Sequence, residues 1–249
     1  MTDAVRYDRV GPVAWVTIDR PEARNAINAE VRVGLADATA RFNDDDAAVL
    51  VLTGSGDVAF CAGADLKEMS AMGLEVPPPD YVSVFGRTVR VDKPPIAAVN
   101  GVALAGGFLL AQMCDLCVAA DHARFAISEV KVGRGAPWAA PLPWLVPPRI
   151  AMELLLTGEP LTASRAHEVG LVNRVVPMSG LHDAVQELAE GIASNAPLSV
   201  AAAKRTVYLS MAAPYEDADE IWAPVYRSAD AQEGPRAFAE KRPPRWQGR

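Results

Sequence analysis

FCAGADLKEM, residues 60–69, follows soon after the apolar run AVLVLTG at residues 48–54. The chain leaves that run through Cys-Ala-Gly-Ala, four residues with very small side chains. Small residues allow another molecule to come close to the backbone. A turn into a helix would also leave the amide N–H groups of the first helical residues without partners in the helix. The stretch therefore predicts a close approach to the backbone at Gly63-Ala64-Asp65.

A second glycine-bearing segment, NGVALAGGFLLA at residues 100–111, has the same character. Gly106 and Gly107 open a predicted helix after a strand, so backbone donors lie at the positive end of the helix dipole. Taken alone, each of the two segments is more often an ordinary tight turn. If they face each other, their N–H groups would converge on one oxygen atom, which is the geometry of an oxyanion hole.

Length and composition indicate an ordinary globular protein. The 249 residues suffice for one large domain, or for one domain with an appendage. The formal charge of −7 argues against a nucleic acid or an anionic membrane as partner. We find neither a signal-peptide pattern nor an uncharged apolar stretch of the roughly 18 residues that a membrane span needs. Three cysteines are too few for a disulfide framework, so we expect a cytoplasmic protein.

The order of predicted elements favours an α/β body followed by helices. Strands alternate with helices up to about residue 176, and only helical patterns follow from about residue 197. Apolar or β-branched runs predict strands at 13–18, 49–53, 96–101, 116–120 and 123–129. Helices are predicted at 30–42, 81–91 and 105–115, and within 137–157, 162–168 and 179–195.

Three other patterns point to different chemistry. TGSGDVA at residues 53–59 contains G-x-G-x-x-A, but no amphipathic run follows, so a plain turn is favoured over the dinucleotide site of a nicotinamide-linked oxidoreductase. Cys114 and Cys117 have C-x-x-C spacing without a second ligand pair, and buried thiols are therefore favoured over a metal or redox site. The three histidines occur without a G-x-S-x-G elbow, which argues against a Ser-His-Asp hydrolase.

Residues 60–69 and 93–133 together resemble the enoyl-CoA hydratase/isomerase (crotonase) family, and the similarity continues through 151–177 to AFAEKR at 237–242. The resemblance implies an α/β fold built as a crotonase-like spiral of ββα turns. It implies a core at 1–195 with the acyl-CoA site, and a helical C-terminal trimerisation region at 196–249. The implied ligand is an acyl-CoA thioester, with no cofactor beyond its coenzyme A, and the implied assembly is a homotrimer or a dimer of trimers.

The family's two oxyanion-hole amides fall, by position, on Ala64 and Gly106. Negative charge collects on the thioester oxygen when the acyl chain loses a proton or gains hydroxide, and two amides already aimed there would stabilise it. CoA phosphates need local positive charge, for which Arg24 and Lys67 are candidates. The substrate- and CoA-binding residues we predict are Arg24, Ala62, Gly63, Asp65, Leu66, Lys67, Gly107, Leu109, Trp138, Phe238 and Lys241, and no metal ligand is predicted.

The proton carrier departs from the family's two-glutamate pattern. Of its two glutamate positions, one is occupied here by Leu109 and the other by Glu129. A water held between two carboxylates would lose an acceptor, whereas one carboxylate with a burial-raised pKa can still move a proton between two carbons. Hydration of a 2-enoyl-CoA and 3-to-2 double-bond isomerisation both stay open. The alternatives are a non-catalytic acyl-CoA-binding homologue and a single-glutamate hydrolase or decarboxylase.

Two further regions are assigned by the resemblance. The loop GLEVPPPD at 73–80 and residues 81–90 correspond to the family's acyl-tail pocket, which Trp138 and Trp144 are expected to narrow. The basic tail is expected to contribute to CoA binding through Arg236, Lys241, Arg242, Arg245 and Arg249.

Overall fold

The structure is a computed structural model that describes residues 2–73, 76–78, 80–209, 223, 225–245 and 247. Leu74, Glu75 and Pro79 of the predicted acyl-tail loop, residues 210–222 of the predicted helical region and Arg249 lie outside the described residues. The strands are β1 Val5–Val10, β2 Val13–Ile18, β3 Val49–Gly54, β4 Ala59–Cys61, β5 Pro95–Val99, β6 Val102–Leu104, β7 Leu116–Ala120, β8 Arg124–Ala126, β9 Leu161–Thr162 and β10 Arg174–Val176. The helices are α1 Ala29–Asp44, α2 Leu66–Met72, α3 Gly106–Gln112, α4 Leu142–Leu145, α5 Pro148–Thr157, α6 Ala163–Glu168, α7 Leu181–Ala193, α8 Pro197–Leu209 and α9 Ala229–Ala239.

Successive turns of the chain stack in a spiral. In the part of the chain described, the strands form one sheet of order β1-β2-β3-β5-β7-β10 and a second of order β4-β6-β8-β9. Each turn adds a parallel strand to the first sheet and then one to the second, as β3-β4, β5-β6 and β7-β8 do. The first two of these turns continue into the helices α2 and α3. The predicted spiral of ββα turns is therefore confirmed.

The larger sheet is buried on both faces, which explains why its strands are nearly continuous apolar runs. One face contributes Leu50 and Leu52 to the main core, where the predicted helical face of α1 also lies. The other face contributes Val49 and Val51, which pack with Val185 of α7. With both faces covered, this sheet gives the site a rigid support.

Two sequence predictions of secondary structure are wrong. Residues 81–91 form turns rather than a helix, because Gly86 has φ of +77° and its N–H donates to the Val89 carbonyl (2.9 Å). The predicted strand at 123–129 ends at Ala126, and Ser128–Val132 forms a 3-10 turn. Glu129 therefore projects from a turn, not from a strand end.

The described C-terminal helices are anchored to the body. Lys204 of α8 forms an ion pair with Asp115 (3.0 Å), and the Tyr208 hydroxyl donates to the same carboxylate (2.9 Å). In α9, a Cβ built on Gly234 would lie 1.9 Å from the Val132 carbonyl oxygen, so helix and 3-10 turn meet backbone to backbone. The boundary after residue 195 and the role of this region in trimer assembly stay predictions.

No helix in the described ranges combines the length and apolar character needed to cross a membrane. The cytoplasmic location stays a prediction.

Candidate active site

The first of the two amide turns is held by a neighbouring stretch of backbone. The Ile27 N–H donates to the Gly63 carbonyl (2.8 Å), and the Asp65 N–H donates to the Ile27 carbonyl (2.9 Å). Because alternate residues of an extended segment direct their backbone groups to opposite sides, the Ala64 N–H faces away from Ile27. Among the described residues no hydrogen bond uses that N–H. Ala64 therefore offers a fixed donor.

Asp65 fixes the start of α2 directly after this turn. Its Oδ1 accepts hydrogen bonds from the N–H groups of Lys67 (3.2 Å) and Glu68 (3.4 Å), as an N-cap residue does. Its Oδ2 forms an ion pair with Arg20 at 3.2 Å. The carboxylate of Asp65 thus stabilises the turn between Ala64 and α2.

The second amide turn depends on a strained alanine. Ala105, between β6 and α3, has φ of +50° and ψ of −120°, a conformation that side-chain-bearing residues rarely adopt and that costs on the order of 1–3 kcal/mol. Its own N–H donates to the Ala126 carbonyl at 2.9 Å. Gly106 follows as the first residue of α3, where the amide has no partner within the helix. The strained conformation of Ala105 therefore sets the orientation of the Gly106 amide.

The two turns lie against each other. A Cβ built on Gly106 would be 3.7 Å from the Ala64 nitrogen, and one built on Gly63 would be 3.3 Å from the Gly106 nitrogen. A Cβ on Gly107 would come within 1.9 Å of the Cys61 carbonyl oxygen, so α3 packs directly on the backbone of β4. The glycines therefore bring the Ala64 and Gly106 amides side by side.

Glu129 is a buried carboxyl group with one oxygen uncommitted. Its Oε1 accepts a hydrogen bond from the Trp138 indole N–H (3.1 Å), and the residue is 8% exposed. Oε2 has no hydrogen-bond partner among the described residues. Burial raises the pKa of Glu129 to about 7, against the smaller opposing effect of the Trp138 hydrogen bond. At neutral pH such a group can both accept and donate a proton.

A cavity of about 1100 Å³ brings the two turns and the glutamate together. Three of the predicted residues do not line it, namely Gly63, Gly107 and Lys241. The Leu109 side chain, 6% exposed, contributes an apolar part of the wall. The predicted residues that line the cavity are Arg24, Ala62, Ala64, Asp65, Leu66, Lys67, Gly106, Leu109, Glu129, Trp138 and Phe238.

One expectation about the surroundings is wrong, and one residue of the basic tail has an ion-pair partner within the chain. Trp144 is 59% exposed on α4 and does not line the cavity, so the expectation that it narrows the acyl pocket is wrong. Arg242 of the tail is held by Glu233 at 2.6 Å, and this hydrogen-bonded pair lowers the pKa of Glu233 to about 2. Arg242 therefore attaches the end of the chain to α9, and the expected contribution of the tail to CoA binding stays a prediction.

Sequence reasoning missed several residues of the wall. Arg134 and Tyr226 are buried beside the cavity, and Tyr81 completes that side. Tyr226 lies far along the chain from the other two, and no local pattern marks it. Ala105 carried no signal either, because a strained backbone at alanine is not visible in the sequence. Arg134 lies between two glycines, Gly133 and Gly135, and this was the one detectable clue.

Comparison with known proteins gives a consistent result. The family model described as enoyl-CoA hydratase/isomerase matches residues 8–249. A carnitinyl-CoA dehydratase from Citrobacter koseri is 39% identical, with all of both chains covered. The crystal structure of a carnitinyl-CoA hydratase from Mycobacterium avium is 41% identical with a TM-score of 0.88, covering 100% of both chains. That of an enoyl-CoA hydratase from Mycobacterium tuberculosis is 44% identical with a TM-score of 0.77, covering 99% of both.

Proposed function

The chain is an enzyme of the enoyl-CoA hydratase/isomerase family, and from that premise we propose that it moves a double bond in an acyl-CoA thioester with Glu129 as its single proton carrier. The observation that carries the proposal is the buried Glu129 Oε2, without a hydrogen-bond partner among the described residues, in the same cavity as the Ala64 and Gly106 amides. The substrate brings its own coenzyme A, and no other cofactor takes part.

The amides act on the charge that the reaction creates. The thioester oxygen lies between the N–H groups of Ala64 and Gly106, which stabilise the enolate oxygen more than the neutral carbonyl. Since these donors are held by backbone packing, they need no reorganisation as the charge develops. Loss of one such donor typically costs on the order of 10²–10³ in rate.

Glu129 transfers the proton in two steps. Its Oε2 takes a proton from C2 of a 3-enoyl-CoA, the C2–H electrons form the C1–C2 double bond of the dienolate, and the C1–O π electrons move onto the thioester oxygen. When the carbonyl forms again, the C1–C2 π electrons become the new C2–C3 double bond, and the C3–C4 π electrons take up a proton at C4. The protonated carboxyl then returns the proton to C4, which leaves a conjugated 2-enoyl-CoA. A pKa near neutrality makes both steps accessible to one group.

Leu109 is the reason why we propose isomerisation, rather than hydration, as the first candidate reaction. It lines the cavity with an apolar side chain, where the family's hydratases have a second glutamate. An attacking water therefore has one carboxylate acceptor fewer. Hydration or dehydration is the second candidate function, favoured by the relatives named carnitinyl-CoA dehydratase and hydratase.

Two substrates separate these functions. Absorbance of the conjugated thioester should rise when the enzyme is mixed with a 3-enoyl-CoA, and it should fall with crotonyl-CoA if hydration is the main activity. Binding of both thioesters without any change in absorbance would contradict both candidate functions and favour a non-catalytic acyl-CoA-binding protein.

Glu129→Gln tests the proton carrier. We expect turnover to fall by about 10²–10⁴, with the affinity for CoA retained, because the amide keeps the shape but cannot carry the proton. Glu153→Gln, at an exposed position of α5, is the matched control and should keep full activity. A Glu129→Gln variant with normal turnover would remove Glu129 from the mechanism.

A further inference from the structure

Arg134 places a buried positive charge in the wall of the cavity. The residue is 5% exposed, and its backbone N–H donates to the Glu129 carbonyl at 2.9 Å, so it belongs to the same turn as the proposed proton carrier. Burial lowers the pKa of its guanidinium, although an arginine remains protonated at neutral pH. Keeping a cation at such a position is costly unless it interacts with its surroundings.

The surroundings of Arg134 are aromatic and are firmly held. Its guanidinium lies 5.0 Å from the centre of the Tyr226 ring, whose hydroxyl donates to the Gly135 carbonyl (2.7 Å). Tyr81 lines the same cavity, and its hydroxyl accepts a hydrogen bond from Arg32 at 2.9 Å. The guanidinium of Arg134 thus packs on a tyrosine ring that is itself held by a hydrogen bond to the neighbouring backbone.

This part of the wall also adjoins the loop assigned to the acyl tail. Val82 and Val84 line the cavity together with Tyr81, and Arg87 contributes a second arginine from the same loop. In contrast, the candidates for the CoA phosphates are Arg24, which follows the 3-10 turn at Pro21–Ala23 before α1, and Lys67, in the first turn of α2. Arg134 is therefore placed to meet the acyl chain beyond the reacting carbons.

We propose that the acyl pocket accepts a chain that ends in a carboxylate, which Arg134 binds through its guanidinium. A guanidinium has five N–H donors, so Arg134 can keep its contacts in the wall and still donate to a ligand. Carboxylates match its planar donor pattern, and such charge-assisted hydrogen bonds are about twice as strong as neutral ones. The inference rests on the proposed acyl-CoA function and names the class of acyl chain.

A cationic chain end fits this pocket poorly. A trimethylammonium group, such as the carnitinyl group carries, is typically held over open aromatic faces. Here Arg32 lies 4.3 Å from the centre of the Tyr81 ring, and Arg134 already lies over that of Tyr226. Arg32 is paired with Glu68 (2.7 Å), so the charge that would repel a second cation here is that of Arg134.

Three saturated thioesters with the same three methylene groups test the proposal without requiring turnover. Glutaryl-CoA ends in a carboxylate, 5-methylhexanoyl-CoA in an isopropyl group of similar shape, and 4-(trimethylammonio)butyryl-CoA in a cation. Titration calorimetry should show that the protein binds glutaryl-CoA about tenfold or more tightly than 5-methylhexanoyl-CoA, and the cationic thioester most weakly.

Variants of Arg134 assign the preference to that side chain. Arg134→Gln should weaken glutaryl-CoA binding about tenfold or more and leave 5-methylhexanoyl-CoA nearly unchanged, while Arg134→Lys should recover part of the loss. Arg174→Gln, at an exposed position of β10, is the control and should bind all three as the wild type does.

The possible failures can be told apart. A wild-type protein that binds the three thioesters equally, or prefers the isopropyl or the cationic chain, overturns the carboxylate proposal alone. So does an Arg134→Gln variant that weakens all three to the same extent, because that is the result of a structural role. If none of the three binds, the acyl-CoA function itself is overturned, and this inference with it.

Discussion

Ala64 and Gly106 contribute backbone amides to the cavity, whereas Glu129 contributes a side chain, and the two parts are held in different ways. The amide turns are fixed by contacts between backbones, in which Gly63 and Gly107 leave no room for a Cβ. The carboxyl group is held by burial and by one hydrogen bond from Trp138. Substitutions in the backbone part should therefore act by displacing the amides. Substitution of the carboxyl group should instead change how stability depends on pH.

Gly107→Ala should have the largest effect, because the new Cβ would lie 1.9 Å from the Cys61 carbonyl oxygen, a backbone atom that cannot move alone. We expect a loss of more than about 3 kcal/mol in the free energy of unfolding, which thermal or urea denaturation would measure. Gly191→Ala in α7, where the Cβ meets nothing within 4 Å, is the control and should stabilise the protein by about 0.5–1 kcal/mol. A Gly107→Ala protein of normal stability would contradict the packing of α3 on β4.

Glu129→Gln should change stability in a pH-dependent way. The folded pKa of about 7 is above the ordinary value of 4.5, so the folded state binds more protons than the unfolded state between these values. Wild-type stability from this group is thus fully present below pH 4.5 and lost as pH rises through 7, by about 3 kcal/mol in all. Because glutamine cannot ionise, the Glu129→Gln variant should not show this loss of stability at high pH.

Urea denaturation at pH 5 and pH 8 would measure the effect. The stability difference between the glutamine variant and the wild type should move in favour of the variant at pH 8, while exposed Glu153→Gln should show no such shift. An equal difference at both pH values would argue that Glu129 is not desolvated in the folded protein.

Gly63→Ala, compared with Gly73→Ala, separates the cost of backbone strain from the cost of steric contacts made by a new Cβ. Gly63 has φ of +91°, and a Cβ there would lie 2.9 Å from both the Ala105 Cβ and the Leu104 carbonyl oxygen. We expect a loss of about 1–3 kcal/mol in stability and a fall in kcat, since the neighbouring Ala64 amide would be displaced. Gly73→Ala shares the positive φ but has open space, so it isolates the conformational cost. Equal stability losses with an unchanged kcat would show that the two turns are not in tight contact.

The backbone part of the site was largely predictable from the sequence, because small residues at the end of a strand have a local physical meaning. The positions of Ala64 and Gly106 followed from two short segments and from their resemblance to a family. Ala105 could not be found in this way, since its φ of +50° results from the packing of α3 and the hydrogen bond to Ala126. Backbone strain at alanine depends on tertiary contacts.

The side-chain part was less predictable, because its members come from distant parts of the chain. Glu129 was identified, but its 3-10 turn was taken for a strand. The helix expected at 81–91 failed for a related reason: its apolar residues, among them Val84, are buried through turns around Gly86. Tyr226 lies beside Arg134 only because the C-terminal region folds back onto the body.

Asp65 should give the smallest effect, and it tests whether the start of α2 helps to hold the Ala64 amide. Asp65→Ala removes both the N-cap and the ion pair with Arg20, and should cost about 1–2 kcal/mol in stability. Asp65→Asn keeps a capping oxygen and should cost less than about 1 kcal/mol. Thr162→Ala removes the N-cap of α6, outside the cavity, and should lower stability to a similar extent without changing kcat. If the Ala64 turn depends on the N-cap at Asp65, Asp65→Ala should lower kcat by a few-fold, whereas Asp65→Asn should not. A kcat that stays constant in both variants would show that the hydrogen bonds to Ile27 hold Ala64 by themselves.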